Sequence, residues 1–304
     1  MEWKKLVVNR RFSLDLSLYP SFNLALSVKT VSDAWMIVAG RMRGVVFRQQ
    51  EGNTIYYRNA CEEEIRYLTG VWFDPVEKAS TLPRSARARI WPLIEEYKYL
   101  GLSINPYDKE WVFTAVFLSR NTDYHINTIR WCRALAEKTR EPRMISEETV
   151  KRAGSSYQLK QLPQALKEYY RLVEPLESRG ENMFVIRKAV LSIRNCGLKT
   201  AHAYLLFTRP QASSIVPCDT HFLNIARRLG FVDDYQLWNE KYCAKYDCSN
   251  CPLQNKCIIG KTIKEYGELA GWIQTACYTH DKLYCMRRKC EQCRLKEICI
   301  SQTH

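Results

Sequence analysis

The sequence contains no run of about 20 consecutive apolar residues, the length that a helix needs to cross a bilayer. Its N-terminal segment, MEWKKLVVNRRF, also lacks the apolar stretch that is typical of a secretory signal. We therefore expect an intracellular protein with no membrane partner, located in the cytoplasm, or with the nucleoid if the source is a prokaryote.

Acidic side chains are too few to balance the basic ones. The chain has 32 Asp and Glu against 46 Lys and Arg, which gives a formal net charge of +14. This excess favours a polyanionic partner such as a nucleic acid, although a basic soluble protein without such a partner also fits. The hydrophobic content of 46% excludes wholesale disorder, and 304 residues suffice for two or three domains with their own cores.

Short β-rich runs precede a longer helical part. The candidate strands are residues 12–18, 34–39, 44–49 and 54–58, and the first of them alternates with period two. We predict a mainly α fold with a small N-terminal antiparallel sheet, that is, an α+β protein. The predicted domains are a β-rich domain with its following helices at 1–100, a helical domain at 101–235 and a Cys-rich region at 236–304.

Residues 191–230 carry the clearest chemical pattern. Apolar spacing predicts helices over 199–207 and 222–229, and the turn Asn195-Cys196-Gly197 precedes the first of them. Because Asn and Gly accept positive φ readily, a sharp hairpin costs little there. Backbone N–H groups of the hairpin and the helix N-terminus behind it would form a site for one phosphate.

Two segments around this turn resemble the helix-hairpin-helix DNA glycosylases, the superfamily of endonuclease III and 8-oxoguanine DNA glycosylase. They are IRNCGLKTA at 193–201 and IVPCDTHFLNIARRLG at 215–230. The resemblance implies that the hairpin binds a DNA phosphate, that Lys199 attacks C1′ of the damaged nucleotide, and that Asp219 assists. It also places His221 at the DNA-binding surface.

The chain departs from the family pattern at three positions. Arg194 and Asn195 stand where Pro-Gly is usual, and Cys218 stands where Val is common. We expect the hairpin to persist with altered phosphate contacts, since Asn suits a left-handed turn. Two plainer interpretations stay open: Lys199 as a phosphate-binding lysine, and Asp219 as the N-cap of the helix that follows.

A polar segment, SRNTD at 119–123, follows the apolar helical run 111–118. In the family that the chain resembles, an Asn or Gln of a similar loop fills the gap that the flipped base leaves in the duplex. By position this residue is Asn121, and Arg120 beside it would contact the DNA. The alternative is an ordinary polar helix end.

The last third of the chain contains one cysteine spacing twice, C-x4-C-x2-C-x5-C, with an offset of 42 residues. Since disulfides are rare inside cells, metal or cluster ligation is the better use for these thiols, and spacing alone does not separate zinc from iron–sulfur. The first quartet is Cys243, Cys248, Cys251 and Cys257, and the second is Cys285, Cys290, Cys293 and Cys299.

Resemblance sharpens the prediction for the second quartet. Many endonuclease III relatives end in C-x6-C-x2-C-x5-C, which binds a [4Fe-4S] cluster, and here the first gap is two residues shorter. We therefore expect a [4Fe-4S] cluster at the second quartet. The first quartet would hold a second cluster or zinc.

These observations predict a base-excision-repair DNA glycosylase with AP lyase activity. Its partner would be double-stranded DNA with a damaged base, an oxidised one such as 8-oxoguanine, which would be excised through a Schiff base on Lys199. A monofunctional glycosylase for uracil, mismatched or alkylated bases and a non-catalytic iron–sulfur DNA-binding protein are the alternatives. The absence of heptad patterning and the family precedent predict a monomer.

Overall fold

A computed structural model describes residues 2–50 and 52–300 of the chain, so the outer ends of the first and third predicted domains, residues 1 and 301–304, lie outside it. Five strands form one antiparallel sheet in the order β1-β5-β4-β3-β2. They are β1 (Lys4–Val7), β2 (Ser27–Lys29), β3 (Trp35–Ile37), β4 (Val46–Gln50) and β5 (Thr54–Arg58).

One face of the sheet is buried. In β5, Ile55 and Tyr57 are buried and alternate with half-buried neighbours, which is the period of a strand with one face on a core. Phe47 of β4 pairs with Tyr57 and is fully buried. The sheet thus has its own apolar core, to which Ile65 and Leu68 from the following helix also belong.

The prediction of a strand at 12–18 was wrong, because Leu14–Leu18 forms a short helix, α1. The hydroxyl of Ser13 accepts a hydrogen bond from the backbone N–H of Leu16 at 3.3 Å and caps the helix. Leu14 and Leu18 are buried, four residues apart on one helical face. Over so short a segment, alternating Leu residues fit both periods, and the cap favours the helix.

Fourteen further helices follow. They are α2 (Glu62–Thr69), α3 (Pro75–Ser80), α4 (Arg84–Tyr97), α5 (Lys109–Leu118), α6 (Ile129–Lys138), α7 (Glu147–Ala153), α8 (Tyr157–Leu172), α9 (Glu174–Ser178), α10 (Met183–Leu191), α11 (Leu198–Thr208), α12 (Thr220–Leu229), α13 (Glu240–Lys245), α14 (Ile258–Tyr266) and α15 (Ala270–His280). The prediction of a mainly helical chain with a small N-terminal antiparallel sheet is confirmed. Of the helices described, none is both long and apolar enough for a membrane span.

Three helices, α5, α11 and α15, form the centre of the helical part. Nearly all of their residues are buried and most of these are apolar, as expected of helices inside a core. In α11 every residue except Lys199 is buried. Helix α5 packs on α11, and α15 packs on α12. Lys199 is thus the side chain of α11 that remains partly accessible, and Thr200, Ala203 and Phe207 of the same helix line the space beside it.

Candidate active site

A cleft with a volume of about 770 Å³ opens where the N-terminus of α11, the N-terminus of α12, the C-terminus of α5 and the face of α15 meet. It brings together most of the residues that the sequence predicts for catalysis and DNA binding. Among the residues that line it are Arg120, Asn121, Asn195, Gly197, Lys199, Asp219 and His221.

The hairpin before α11 forms as predicted. Asn195 has a φ of 66°, and the N–H of the buried Cys196 donates to the carbonyl of Ile193 at 3.0 Å, which closes the turn. Gly197 precedes the first residue of α11, and a Cβ placed there would meet no atom within 4 Å. The helix N-terminus is consequently open to the cleft, where its positive end favours an anion.

Lys199 enters the cleft with a single weak anchor. Its Nζ donates to the hydroxyl of Ser119 at 3.3 Å, at the C-terminal end of α5. Burial lowers the pKa of Lys199 below its ordinary value; the nearby Arg120 acts in the same direction and Asp219 opposes both. A lowered pKa raises the fraction of neutral amine near neutral pH, which is the form that attacks carbon.

Asp219 serves as a helix cap and as a neighbour of Lys199. Its Oδ1 accepts from the N–H of Phe222 at 2.8 Å, and its Oδ2 accepts from Gln274 Nε2 of α15 at 3.2 Å. Burial raises the pKa of Asp219, while the charge of Lys199 acts against that rise. The N-cap role is thus present, and it leaves the second carboxylate oxygen directed at Gln274.

The polar segment after α5 is held by Arg120. Its guanidinium donates to the carbonyl of Asn195 at 2.6 Å and to Gln161 Oε1 at 3.0 Å, and it lies over the ring of Phe117. Arg120 therefore fastens this segment to the hairpin. Asn121 beside it is exposed at the cleft with a φ of 49°. DNA contacts of both residues stay predictions.

His221 is tied to the end of α15. Its Nδ1 lies 2.6 Å from Oδ2 of the buried Asp281, whose other oxygen accepts from Asn224. Lys282, next along the chain, donates to Asp123 at 2.7 Å and so joins this end of α15 to the segment after α5. These contacts join elements that are far apart in sequence around the cleft.

The second cysteine loop (residues 285–299) encloses a cavity of about 150 Å³ that all four of its predicted ligands line. His280 Nε2 lies 3.4 Å from Cys293 Sγ, and Arg228 also lines the cavity. Four thiols around one space, with an imidazole nitrogen at hydrogen-bond distance from a sulfur, fit the donor set of an iron–sulfur cluster.

The first cysteine loop (residues 243–257) has a buried arginine beneath it. Arg187 Nη1 of α10 donates to Cys248 Sγ at 3.7 Å. Within residues 2–50 and 52–300, no group of three or more His, Cys, Asp and Glu side chains is arranged to hold a single metal ion. Metal or cluster binding by either loop stays a prediction.

Three residues of these sites escaped the sequence reasoning. Gln274 and Tyr278 of α15 line the cleft, and Arg187 lies under the first cysteine loop. A glutamine inside an otherwise apolar helix was a signal for the first of them. Arg187 has no comparable local signal, since its sequence neighbours read as an ordinary amphipathic helix.

Comparisons with known proteins were made at the level of sequence and of structure. No family model matches the sequence, and no curated protein matches it either. Among solved structures, the chain is similar to the 8-oxoguanine glycosylase/lyase of Clostridium acetobutylicum in complex with double-stranded DNA containing cytosine opposite 8-oxoguanine. The TM-score is 0.68 and the sequence identity is 14%, and the match covers 90% of this chain and 92% of that one.

Two further structures agree with this match. The apo form of the Clostridium acetobutylicum enzyme has a TM-score of 0.67 at 14% identity, covering 92% of this chain and 96% of that one. MBOgg1 in complex with a low-affinity DNA ligand has a TM-score of 0.64 at 15% identity, covering 93% and 99%. The resemblance to the helix-hairpin-helix glycosylases is confirmed for the fold, over nearly the whole chain.

Proposed function

We propose that this chain, which has the fold of the 8-oxoguanine glycosylase/lyases, is a base-excision-repair DNA glycosylase with AP lyase activity. The observation that carries the proposal is the cleft in which Lys199, with a lowered pKa, faces Asp219. A lysine that only binds phosphate would gain from being charged, whereas burial here disfavours its charge.

The reaction follows from these two groups. As the C1′–N bond breaks, the base leaves with the electron pair and takes up a proton, and the carboxylate of Asp219 stabilises the positive sugar. The neutral amine of Lys199 bonds to C1′ and loses a proton, and opening of the sugar ring yields a Schiff base. Loss of a C2′ proton then expels the 3′ phosphate by β-elimination.

Double-stranded DNA is the proposed partner. A base inside a duplex is out of reach, so it must be extruded into the cleft. Asn121 is exposed at the cleft rim with left-handed backbone, where its amide would fill the gap left in the stack. The open N-terminus of α11 behind Gly197 would take the phosphate, and the net charge of +14 favours the polyanion.

An oxidised purine such as 8-oxoguanine is the proposed substrate. Two features support it: the five-stranded N-terminal sheet, which within this superfamily accompanies 8-oxoguanine and alkylbase glycosylases rather than endonuclease III, and the match to 8-oxoguanine enzymes over 90% or more of the chain. Gln274 and Tyr278 line the same cleft and would contact the extruded base.

The second cysteine loop is proposed to hold a [4Fe-4S] cluster through Cys285, Cys290, Cys293 and Cys299. The cluster would cross-link the segment that follows α15. It would thereby fix the position of Asp281, which contacts His221, and of Lys282, which lines the cleft.

Borohydride trapping tests the proposal. Duplexes carrying 8-oxoguanine opposite cytosine, thymine glycol, uracil or an abasic site would be incubated with the protein and borohydride, which reduces a Schiff base to a stable covalent link. We expect an adduct with 8-oxoguanine and with the abasic duplex. In Lys199→Gln it should fall by on the order of a thousandfold, because the nucleophile is absent.

Lys188→Gln is the matched control, since it removes a lysine from α10, away from the residues that line the cleft. Base release without any adduct would indicate a monofunctional glycosylase. Tight DNA binding with neither base release nor adduct on any duplex would contradict the enzymatic proposal.

A further inference from the structure

We propose that Cys243, Cys248, Cys251 and Cys257 bind a second iron–sulfur cluster of the same four-iron kind as the second cysteine loop, with Arg187 as a buried hydrogen-bond donor to it. This goes beyond the proposed function, because neither base excision nor strand cleavage requires a metal group behind α10. Five observations lead to it.

The two loops have similar local backbone around their second and third cysteines. In each, a short turn of 3₁₀ helix begins at the second cysteine, Cys248–Asn250 in the first loop and Cys290–Gln292 in the second, although the second loop has a further turn at Lys296–Ile298. The third cysteine then ends the turn in extended conformation, with φ and ψ of −74° and 129° at Cys251 and −84° and 119° at Cys293. Both thiols are thus presented from equivalent positions.

Their hydrogen bonds also correspond. The N–H of Gln254 donates to the carbonyl of Cys251 at 2.9 Å, and the N–H of Lys296 donates to the carbonyl of Cys293 at 3.2 Å, 42 positions later. Few side chains other than the cysteines are shared between the loops. We therefore attribute the shared backbone geometry to the shared cysteines. On this basis the two loops should bind the same kind of group.

Neither loop has much apolar burial of its own. In the first loop Cys257 is the one buried residue, and in the second it is Leu295. Segments of this length order only when something replaces a core, and thiolate bonds to a metal group do so, since binding free energy then becomes folding free energy. This requirement applies equally to both loops.

Arg187 places a buried guanidinium next to the first loop, which favours a negatively charged group there. It is almost completely buried, and its guanidinium donates to the carbonyls of Cys243 and Tyr246 and to Cys248 Sγ. A buried cation is costly without a compensating charge, and carbonyls and a protonated thiol provide none. A cluster held by four thiolates is negative overall and would compensate it.

The cavity at the second loop favours a cluster over zinc. A single zinc ion bonds to sulfur at about 2.3 Å, so four thiolates close around it and leave no space. The second loop instead surrounds about 150 Å³, which suits a polynuclear group. Because the first loop repeats the cysteine spacing and the turn at the second cysteine, the same group is assigned to its four cysteines.

The test counts metal and sulfide in the full chain, purified without oxygen. We expect about eight irons and about eight acid-labile sulfides per chain, as two [4Fe-4S] clusters require, and no zinc. About four irons would overturn the proposal, with or without one zinc. The count needs no variant and no activity, so its failure is distinct from a failure of the glycosylase proposal.

Variants assign the clusters to the loops. Cys251→Ser and Cys293→Ser, equivalent in the two loops, should each retain about four irons, and unchanged iron in Cys251→Ser would contradict the proposal. Arg187→Met should keep all the iron but lower the reduction potential of one cluster, because an N–H to sulfur and a positive charge are lost. Unchanged potentials for both clusters would overturn the role of Arg187.

Discussion

The cleft and the cysteine loops differ in what holds them together. In α11 every residue but Lys199 is buried, and the residues that line the cleft are carried by helices that pack on one another. From residue 233 to 256 no residue is buried at all. Apolar packing thus holds the shape of the cleft without help from its reactive groups. In the loops, by contrast, the predicted metal ligands are also the residues expected to hold the structure.

This difference has a consequence for stability. Lys199 makes one weak hydrogen bond and its charge is opposed by burial, so its removal should cost the fold little. Removal of a cysteine from either loop should cost more stability, because the loops bury little apolar surface that could hold them without their ligands. In the cleft, the proposed catalytic residues are therefore not the ones that stabilise the fold, whereas in the loops the proposed ligands would be.

The largest effect should follow removal of the proposed metal groups. If both loops hold clusters, oxidation and chelation of the iron should lower protection from hydrogen exchange in 243–257 and 285–299 by at least about a hundredfold, since bound metal would then supply their folding free energy. Amides of α5 and α11 should keep their protection. Loops that stay protected without metal would break the comparison, and loss of protection in α11 would show that the cleft depends on the clusters too.

The next largest effect should follow a glycine-to-alanine substitution at the contact between α15 and the loop before α12. In Gly271→Ala the new Cβ would lie 2.5 Å from Leu206 Cδ1 and from the carbonyl oxygen of Ser213. We expect about 1–3 kcal/mol of destabilisation in urea unfolding, and weaker borohydride trapping as Gln274 moves away from Asp219. Unchanged stability would show that the cleft tolerates repacking.

The pH dependence of trapping should respond to the charge beside Lys199. Arg120 helps to lower the pKa of this lysine, and the neutral amine is the reactive form. In Arg120→Met that pKa should rise, so the ascending limb of the trapping profile should move to higher pH. Arg120→Lys, which keeps the charge but not the guanidinium bonds, is the matched control and should move it less. A shift toward lower pH would contradict the assignment.

The smallest effect concerns the hairpin turn. Asn195 has a φ of 66°, which an alanine accepts at a cost of about 1 kcal/mol and a glycine accepts freely. Asn195→Ala should therefore lower the free energy of unfolding by about that amount, and Asn195→Gly should leave it nearly unchanged. Equal stabilities for both variants would show that the turn is not under conformational constraint.

Much of the helical part could be predicted because its signals are local. The run at 111–118, the turn at 195–197 and the apolar spacing in 222–229 each show their period or their turn residues within a few positions. The prediction for 12–18 failed because two periods fit equally over so few residues, and the helix cap formed by the hydrogen bond from the N–H of Leu16 to the Ser13 hydroxyl decided the outcome.

The sequence by itself determined the spacing of Lys199 and Asp219, the hairpin between its helices, and the repeated cysteine pattern, since all of these are set by chain-local chemistry. The tertiary structure alone decided that Gln274 reaches Asp219, that Arg120 binds the hairpin and that Arg187 lies under Cys248. Those contacts join residues 55 to 75 positions apart, so they depend on how whole helices pack, and no local period encodes that.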